Sequence, residues 1–569
     1  MRDPLRTPLE TTLLLASLLL APPANAQSGT HQHYGHSANA DQPAPDGSMA
    51  PRLQHLGEHR FPVSSKNPQA QRFIDQGVNL AYGFNHAEAA RSFKEAARLD
   101  PECAMAYWGQ AWVLGPNINA PMDTSAERSA KELVTEALKH LAGASPRERA
   151  YLDALAQRYR GDAATRVECD SAFASAMATV AKRYPADLDA QVIWAEAMMD
   201  LRPWNYWRRD GSPYSGTLAI RERLEAVLAK APNHPQAIHL YIHLLESTPD
   251  AHFAEGPSDR LRTLVPGAGH MVHMPSHIYQ RLGRYADAIR SNQLAAAADE
   301  DYITQCRAQG LYPMAYYPHN VHFIWFAASA DGQSAVALAS ARKVASQVSD
   351  SLLAAIPLLA GFRVVPWYAL TRFGRWDEML AERHPRSPDK FLNAIWHYAR
   401  GLALVANGRR DEATRELDSL RTLATSGGLD YQLFSPNSAA NILAVAPEAL
   451  AGELAEARGD HDTAIRHLER AVRFEDALVY TEPEEWHYPP RLALGAVLLA
   501  AGRPREAETV YWDDLRDHPE NGWALRGLAD ALAAQGRKAE AAEAQARFER
   551  AWARADVKLT ASRFAAGGR

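Results

Sequence analysis

"AAGRPREAE" at 500–508 and "AQGRKAEAA" at 534–542 decide the fold. Each stretch carries a glycine turn, a basic residue and an Ala/Glu-rich helix start. Their glycines, Gly502 and Gly536, lie 34 residues apart. "FGRWDEM" and "NGRRDEA" set Gly374 and Gly408 at the same interval. A 34-residue period is the length of one helix–turn–helix unit. Upstream, from about residue 67, Ala-, Leu- and Arg-rich stretches alternate with short turns, and no period-two alternation is sustained. The chain therefore reads as all-α.

The residues at the helix crossings carry a family resemblance. Phe73, Gly77, Ala89, Phe93, Ala96 and Pro101 form one large–small–small–aromatic–small–proline series, and Leu494, Gly495, Ala507, Tyr511 and Pro519 form another. The series resembles the tetratricopeptide repeat over most of 67–555, with looser middle repeats and insertions such as "RPWNYWRRDGSPYSG". The resemblance implies a helical-hairpin superhelix, an α-solenoid, spanning 67–560. One hairpin cannot bury its apolar face alone, so hairpins stack. It also implies a concave groove, lined by positions 2, 5, 9 and 12 of each first helix, that takes a peptide or protein partner.

On that register the histidines fall on groove positions. In "GHMVHMPSHIYQRLGRYADA" (269–288), His270, His273 and His277 take positions 2, 5 and 9. His239 and His243 precede His273 and His277 by one repeat and take positions 5 and 9, with Glu246 at position 12. His319 and His322 take positions 2 and 5 of the next hairpin. The hairpins 233–345 form a histidine-rich centre: residues 234–322 hold nine of the 22 histidines, where uniform scatter gives about three. Imidazoles at i,i+3 and i,i+4 share a helix face and can share an ion. Seven can supply three ligands to each of two metals. Imidazole suits zinc, copper, iron and nickel; the interleaved Met271 and Met274 favour copper over zinc or iron. The same residues also read as neutral donors in a solvated, metal-free groove. Trp108, Trp112, Glu196, Trp204 and Tyr206 are further candidates for lining a ligand groove.

Function follows in two classes. The first is an exported binding or scaffold protein with a transition-metal groove. The second is a metalloenzyme on the same scaffold, a copper or iron oxidoreductase or a zinc hydrolase. No HExxH, GxSxG, P-loop or dinucleotide glycine motif is present. A net charge of −6 over 569 residues argues against a nucleic-acid partner. Three cysteines, Cys103, Cys169 and Cys306, without a CxxC pair exclude a dense disulfide framework.

Residues 1–26 read as a secretory signal peptide: Arg2 and Arg6, then "TLLLASLLLA", then "ANA". The mature chain then contains no second membrane-length apolar run, and its expected location is the periplasm or the medium. Residues 27–66, with His31, His33 and His36, read as a polar, disordered tail. The N-terminal sequence of exported protein should begin at Gln27; an intact Met1 in that fraction overturns the assignment.

Overall fold

The computed structural model describes residues 43–161, 164–306, 312–433 and 436–564. The expected signal peptide and His31, His33 and His36 lie outside the described residues. Among those described there is no strand, only isolated bridges such as Trp207–Pro213. No helix among them is long and apolar enough to cross a membrane. The three cysteines are buried and unpaired.

The helices that bear on the site are α1 (Pro68–Tyr82), α2 (His86–Leu99), α3 (Ala104–Trp112), α4 (Leu188–Asp200), α5 (Pro235–Leu245), α6 (Gly269–His273) and α7 (Pro275–Arg281). They continue with α8 (Tyr285–Cys306), α9 (Tyr317–Ala330), α10 (Val365–Arg372), α11 (Pro490–Ala500), α12 (Pro504–Asp517) and α13 (Gly522–Ala534). Consecutive members pack as antiparallel hairpins: α1 on α2, α8 on α9, α11 on α12.

The crossings use the small residues as expected. A Cβ on Gly77 would lie 2.7 Å from the Phe93 ring, and one on Gly109 2.4 Å from it. Phe93 of α2 thus fills a pit between α1 and α3. Tyr511 of α12 does the same between Gly495 and Gly527, with hypothetical Cβ approaches of 2.4 and 2.1 Å. The turn glycines Gly374, Gly408, Gly502 and Gly536 all have φ between 63° and 74°, a left-handed backbone that glycine adopts without Cβ strain.

The apolar core falls into two clusters, one from Leu56 to Tyr316 and one from Tyr279 to Leu559. α6, α7 and α9 stand where the two meet. Contacts across 230 residues hold the C-terminal hairpins against them: Arg281 donates to the Asp517 carbonyl at 3.1 Å and Tyr285 to the Pro519 carbonyl at 3.1 Å.

Two expectations change. Residues 43–66 have no regular secondary structure, yet they are packed on the array. Phe61 is fully buried and stacks 5.7 Å from Trp108. Backbone amides of this strap are taken up by side chains: Met49 N–H by Glu95, Leu53 N–H by Gln76, Phe61 N–H by Asp75. A few anchors outweigh a polar composition. Phe61 of the strap covers Trp108, and Trp112 packs on Trp108 and Tyr82; at 1% and 7% exposed, the two are core, not groove.

Gly495→Ala should lower stability by about 1–3 kcal/mol by driving a methyl into Tyr511. Gly143→Ala, where no atom lies within 4 Å, should change it by less than about 0.5 kcal/mol. Chemical unfolding followed by circular dichroism compares the two.

Candidate metal centre

α5 carries His239 and His243 one turn apart; α6 carries His270 and His273; α7 carries His277; α9 carries His319. Pro275 has no N–H and crowds the preceding turn, so the helix breaks at Met274 between α6 and α7. Because α5 and α6–α7 are offset by one repeat, their i,i+4 pairs stand side by side.

The side chains form two trios. In the first, His239 Nε2 lies 3.1 Å from His243 Nε2 and 3.2 Å from His270 Nε2. In the second, His273 Nε2 lies 2.8 Å from His277 Nε2, and His319 completes the group. Within each trio the ligand-type atoms lie within 4.8 Å of one another. The trios adjoin: ring centroids of His243 and His277 are 6.0 Å apart, and those of His270 and His273 5.8 Å. A phenyl ring packs against every imidazole of each trio. Phe84 lies 4.5–6.0 Å from the first three and Phe323 4.9–5.4 Å from the second.

The outer nitrogens are held. His239 Nδ1 faces the Tyr82 carbonyl at 2.7 Å and the Gln236 side-chain oxygen at 3.2 Å. His243 Nδ1 meets Glu246 at 3.2 Å, and His273 Nδ1 meets Asn292 Oδ1 at 2.6 Å. His277 Nδ1 lies 2.9 Å from Glu246 and 2.8 Å from Glu482. Facing oxygen acceptors, these Nδ1 atoms carry hydrogen. In the neutral rings of His239, His243 and His273 the lone pairs are therefore on Nε2, turned into the trios.

Burial sets the electrostatics. It pushes the imidazoles of His239, His270, His273 and His319 well below the usual histidine range, with neighbouring imidazoles adding to it. His277 goes the other way, to about 10: burial opposes its charge, but Glu246 and Glu482 outweigh burial. Of the two carboxyls, burial pushes Glu482 up to about 8. Glu246, opposed by burial but held between His277 and His243, falls to about 2. Glu246 thus carries the negative charge of the group.

Several expectations need correction. Five of the six trio histidines are buried, not groove-solvated: His239, His243, His270, His273 and His277 are at most 2% exposed, and His319 is half-buried. The segment after residue 478 covers them, Tyr480 donating to the Glu246 carbonyl and Glu482 reaching His277. His322 belongs to neither trio. One turn beyond His319, it stacks on Trp325 at 5.0 Å, and burial lowers its pKa to about 3. Met271 and Met274 are fully buried core residues, so their copper cue lapses. Glu196 is a buried carboxyl that burial raises to about 7; it stands near Gln236, whose side-chain oxygen meets His239. Tyr206 is buried, whereas Trp204 is 43% exposed and packs edge-on against His243 at 5.0 Å.

Sequence reasoning missed Glu482, 205 residues from His277, and Asn292, which belongs to the second helix of its hairpin. It also missed His59, Asp189 and His234, which line a cavity of about 1240 Å³. There Asp189 Oδ1 accepts from Tyr82 Oη at 2.7 Å and lies 2.9 Å from His59 Nε2. His234 Nδ1 caps α5 by accepting from the Ala237 N–H at 3.4 Å. With its hydrogen therefore on Nε2, His234 serves as a cap rather than a ligand.

The comparisons with known proteins agree with the fold. The tetratricopeptide repeat family model matches residues 489–511 and 522–550, the helices around α11 to α13 and the one that follows. No curated protein sequence matches it. Similar solved structures include a human IFIT1 dimer with m7Gppp-AAAA, at 13% identity over 85% of this chain and 90% of that one, TM-score 0.30. Others are the TPR domain of P58(IPK), at 12% over 82% and 98%, TM-score 0.22, and Naa15/Naa10 bound to HypK-THB, at 12% over 85% and 70%, TM-score 0.21. At such TM-scores no argument about this chain rests on them.

Glu246 has two imidazole partners and Glu482 one. Glu246→Leu should therefore destabilise the chain by about 3–5 kcal/mol, the cost of breaking a buried ion pair. Glu482→Gln should cost clearly less, because Glu246 still faces His277. Urea unfolding of both variants orders the two effects; equal losses would contradict the geometry.

Proposed function

We propose that the two trios hold two transition-metal ions, and that the protein's function is carried by this paired centre on a tetratricopeptide-repeat scaffold. One observation carries the reading. His239 and His243 both keep their hydrogens on Nδ1, so their Nε2 lone pairs face each other at 3.1 Å. That contact calls for a proton or a metal ion between the two nitrogens, and burial works against an extra proton on either ring. The edge of a tetrahedron around a metal with ~2.0–2.1 Å bonds to nitrogen is ~3.3 Å, close to the 3.1 and 3.2 Å spacings of the first trio.

Three imidazoles leave a four-coordinate ion one position for an exogenous ligand, as catalytic sites do and closed structural sites do not. Six imidazoles, five of them buried, in a layer between two cores favour a retained, reactive cofactor over a docking groove. This supports the metalloenzyme class over a plain scaffold. Copper is the first candidate, because an all-nitrogen set binds copper(II) most tightly among the divalent first-row ions; His277, raised to about 10, would release its proton on taking the metal. Bound there, the metals would supply Lewis acidity or electron transfer. The protein's own residues orient the imidazoles through Tyr82, Glu246, Asn292 and Glu482. Export to an oxidising compartment, as the N-terminus suggests, belongs to the same reading. So does a protein partner, a role for which the repeat scaffold and the exposed Trp204 speak.

Untagged protein should carry two equivalents of metal per chain by elemental analysis. His239→Ala with His243→Ala should remove one equivalent, and His273→Ala with His277→Ala the other. His397→Ala with His467→Ala should leave both. Wild-type protein that takes up no copper, zinc or iron at micromolar concentration ends the proposal.

A further inference from the structure

Three arginines are buried among the described residues: Arg158, Arg372 and Arg563. Two of them face carboxylates. Arg158 lies 3.1 Å from Asp170 and 3.4 Å from Asp200, and Arg563 pairs with Glu453. Arg372, the last residue of α10, has none within salt-bridge distance. Its guanidinium is sandwiched between the faces of Trp523 at 4.1 Å and Tyr488 at 4.8 Å. Stacking of this kind occupies the faces and leaves the N–H edge free. Nε and Nη1 are buried and bond nothing. The nearest carboxylate to influence it, Asp514, is committed to His518 and Asn521.

The neighbours repeat the pattern. Tyr368 precedes Arg372 by one turn, and its ring stacks on His487 at 3.6 Å and meets Trp486 at 6.0 Å. Tyr368 Oη, Trp486 Nε1 and His487 Nδ1 are buried without a partner. The guanidinium and the indole can only donate. Buried polar groups are normally paired, and an isolated buried charge costs far more than an unpaired amide. Here a permanent cation with two unpartnered N–H groups and no carboxylate within salt-bridge distance stands among a hydroxyl, an indole and an imidazole that also lack partners.

We infer that this region binds a small monovalent anion, halide or carboxylate, with Arg372 as its counter-charge. An anion offers acceptor capacity in several directions and neutralises the guanidinium; water can do only the first. The inference is independent of the metal reading, since none of these residues belongs to a trio.

The test uses the full mature chain at constant ionic strength, with sodium gluconate, too large for a buried site, exchanged for sodium bromide or sodium formate. Wild type should show a saturating rise in Tm of about 2 °C or more with at least one of them, and Arg372→Met should show none. Crystals in bromide should give an anomalous peak at the guanidinium edge; crystals in formate should give planar density there. These arms distinguish halide from carboxylate, and they need no variant if Arg372→Met fails to fold. Density for an ordered water only in both crystals, or an Arg372→Met chain that responds to the salts as wild type does, overturns the proposal.

Discussion

Glu246 is the group on which the centre of the molecule depends. One carboxylate oxygen meets His243 and the other His277, so a single side chain ties two successive hairpins across the plane where the two apolar cores meet. A buried carboxylate with one imidazole partner would be a liability, because desolvation of both charges offsets most of their attraction. With two imidazoles and Glu482 beside them, the charge is shared over several partners rather than resting on one. The polar layer is then tolerable inside a protein whose neighbouring layers are Leu, Ile, Val and aromatic rings.

The repeat explains why the layer is so regular. Antiparallel hairpins stacked with small residues at the crossings reproduce the same side-chain direction every 34 residues. A pair of histidines one turn apart on α5 therefore reappears as a pair on α6–α7, displaced sideways. The phenyl rings of Phe84 and Phe323 complete the correspondence, one against each trio. They close the imidazoles off with surfaces that offer no hydrogen bond, which leaves the nitrogens directed at one another.

Much of this was legible in the sequence, and the remainder was hidden for identifiable reasons. The 34-residue spacing of His239 and His243 from His273 and His277 fixed their common face, and the Gly–aromatic crossings at Gly77, Phe93, Gly495 and Tyr511 were readable as packing. Burial was not, because polarity suggested a solvated groove and the covering segment comes from far along the chain. Glu482 lies beyond any helical periodicity that could connect it to His277. His322 shows the limit of position counting: one turn beyond a true member of the trio, its environment is set by Trp325 and Phe362 rather than by its register.

The strap of residues 43–66 bears on where the folded unit starts. Its amides are received by Glu95, Gln76 and Asp75, and Ser64 donates to Glu148 at 2.6 Å. Glu95 and Glu148 are only 3% and 2% exposed. The strap runs across several hairpins: the Gly267 N–H donates to the His55 carbonyl at 2.7 Å and Arg147 to the Pro62 carbonyl at 2.9 Å. A boundary drawn at the first repeat would strip the strap away, leaving Trp108 without Phe61 and taking from Glu95 and Glu148 the donors that the strap supplies. The autonomous unit is thus longer than the array, and its first element is one that no repeat pattern contains.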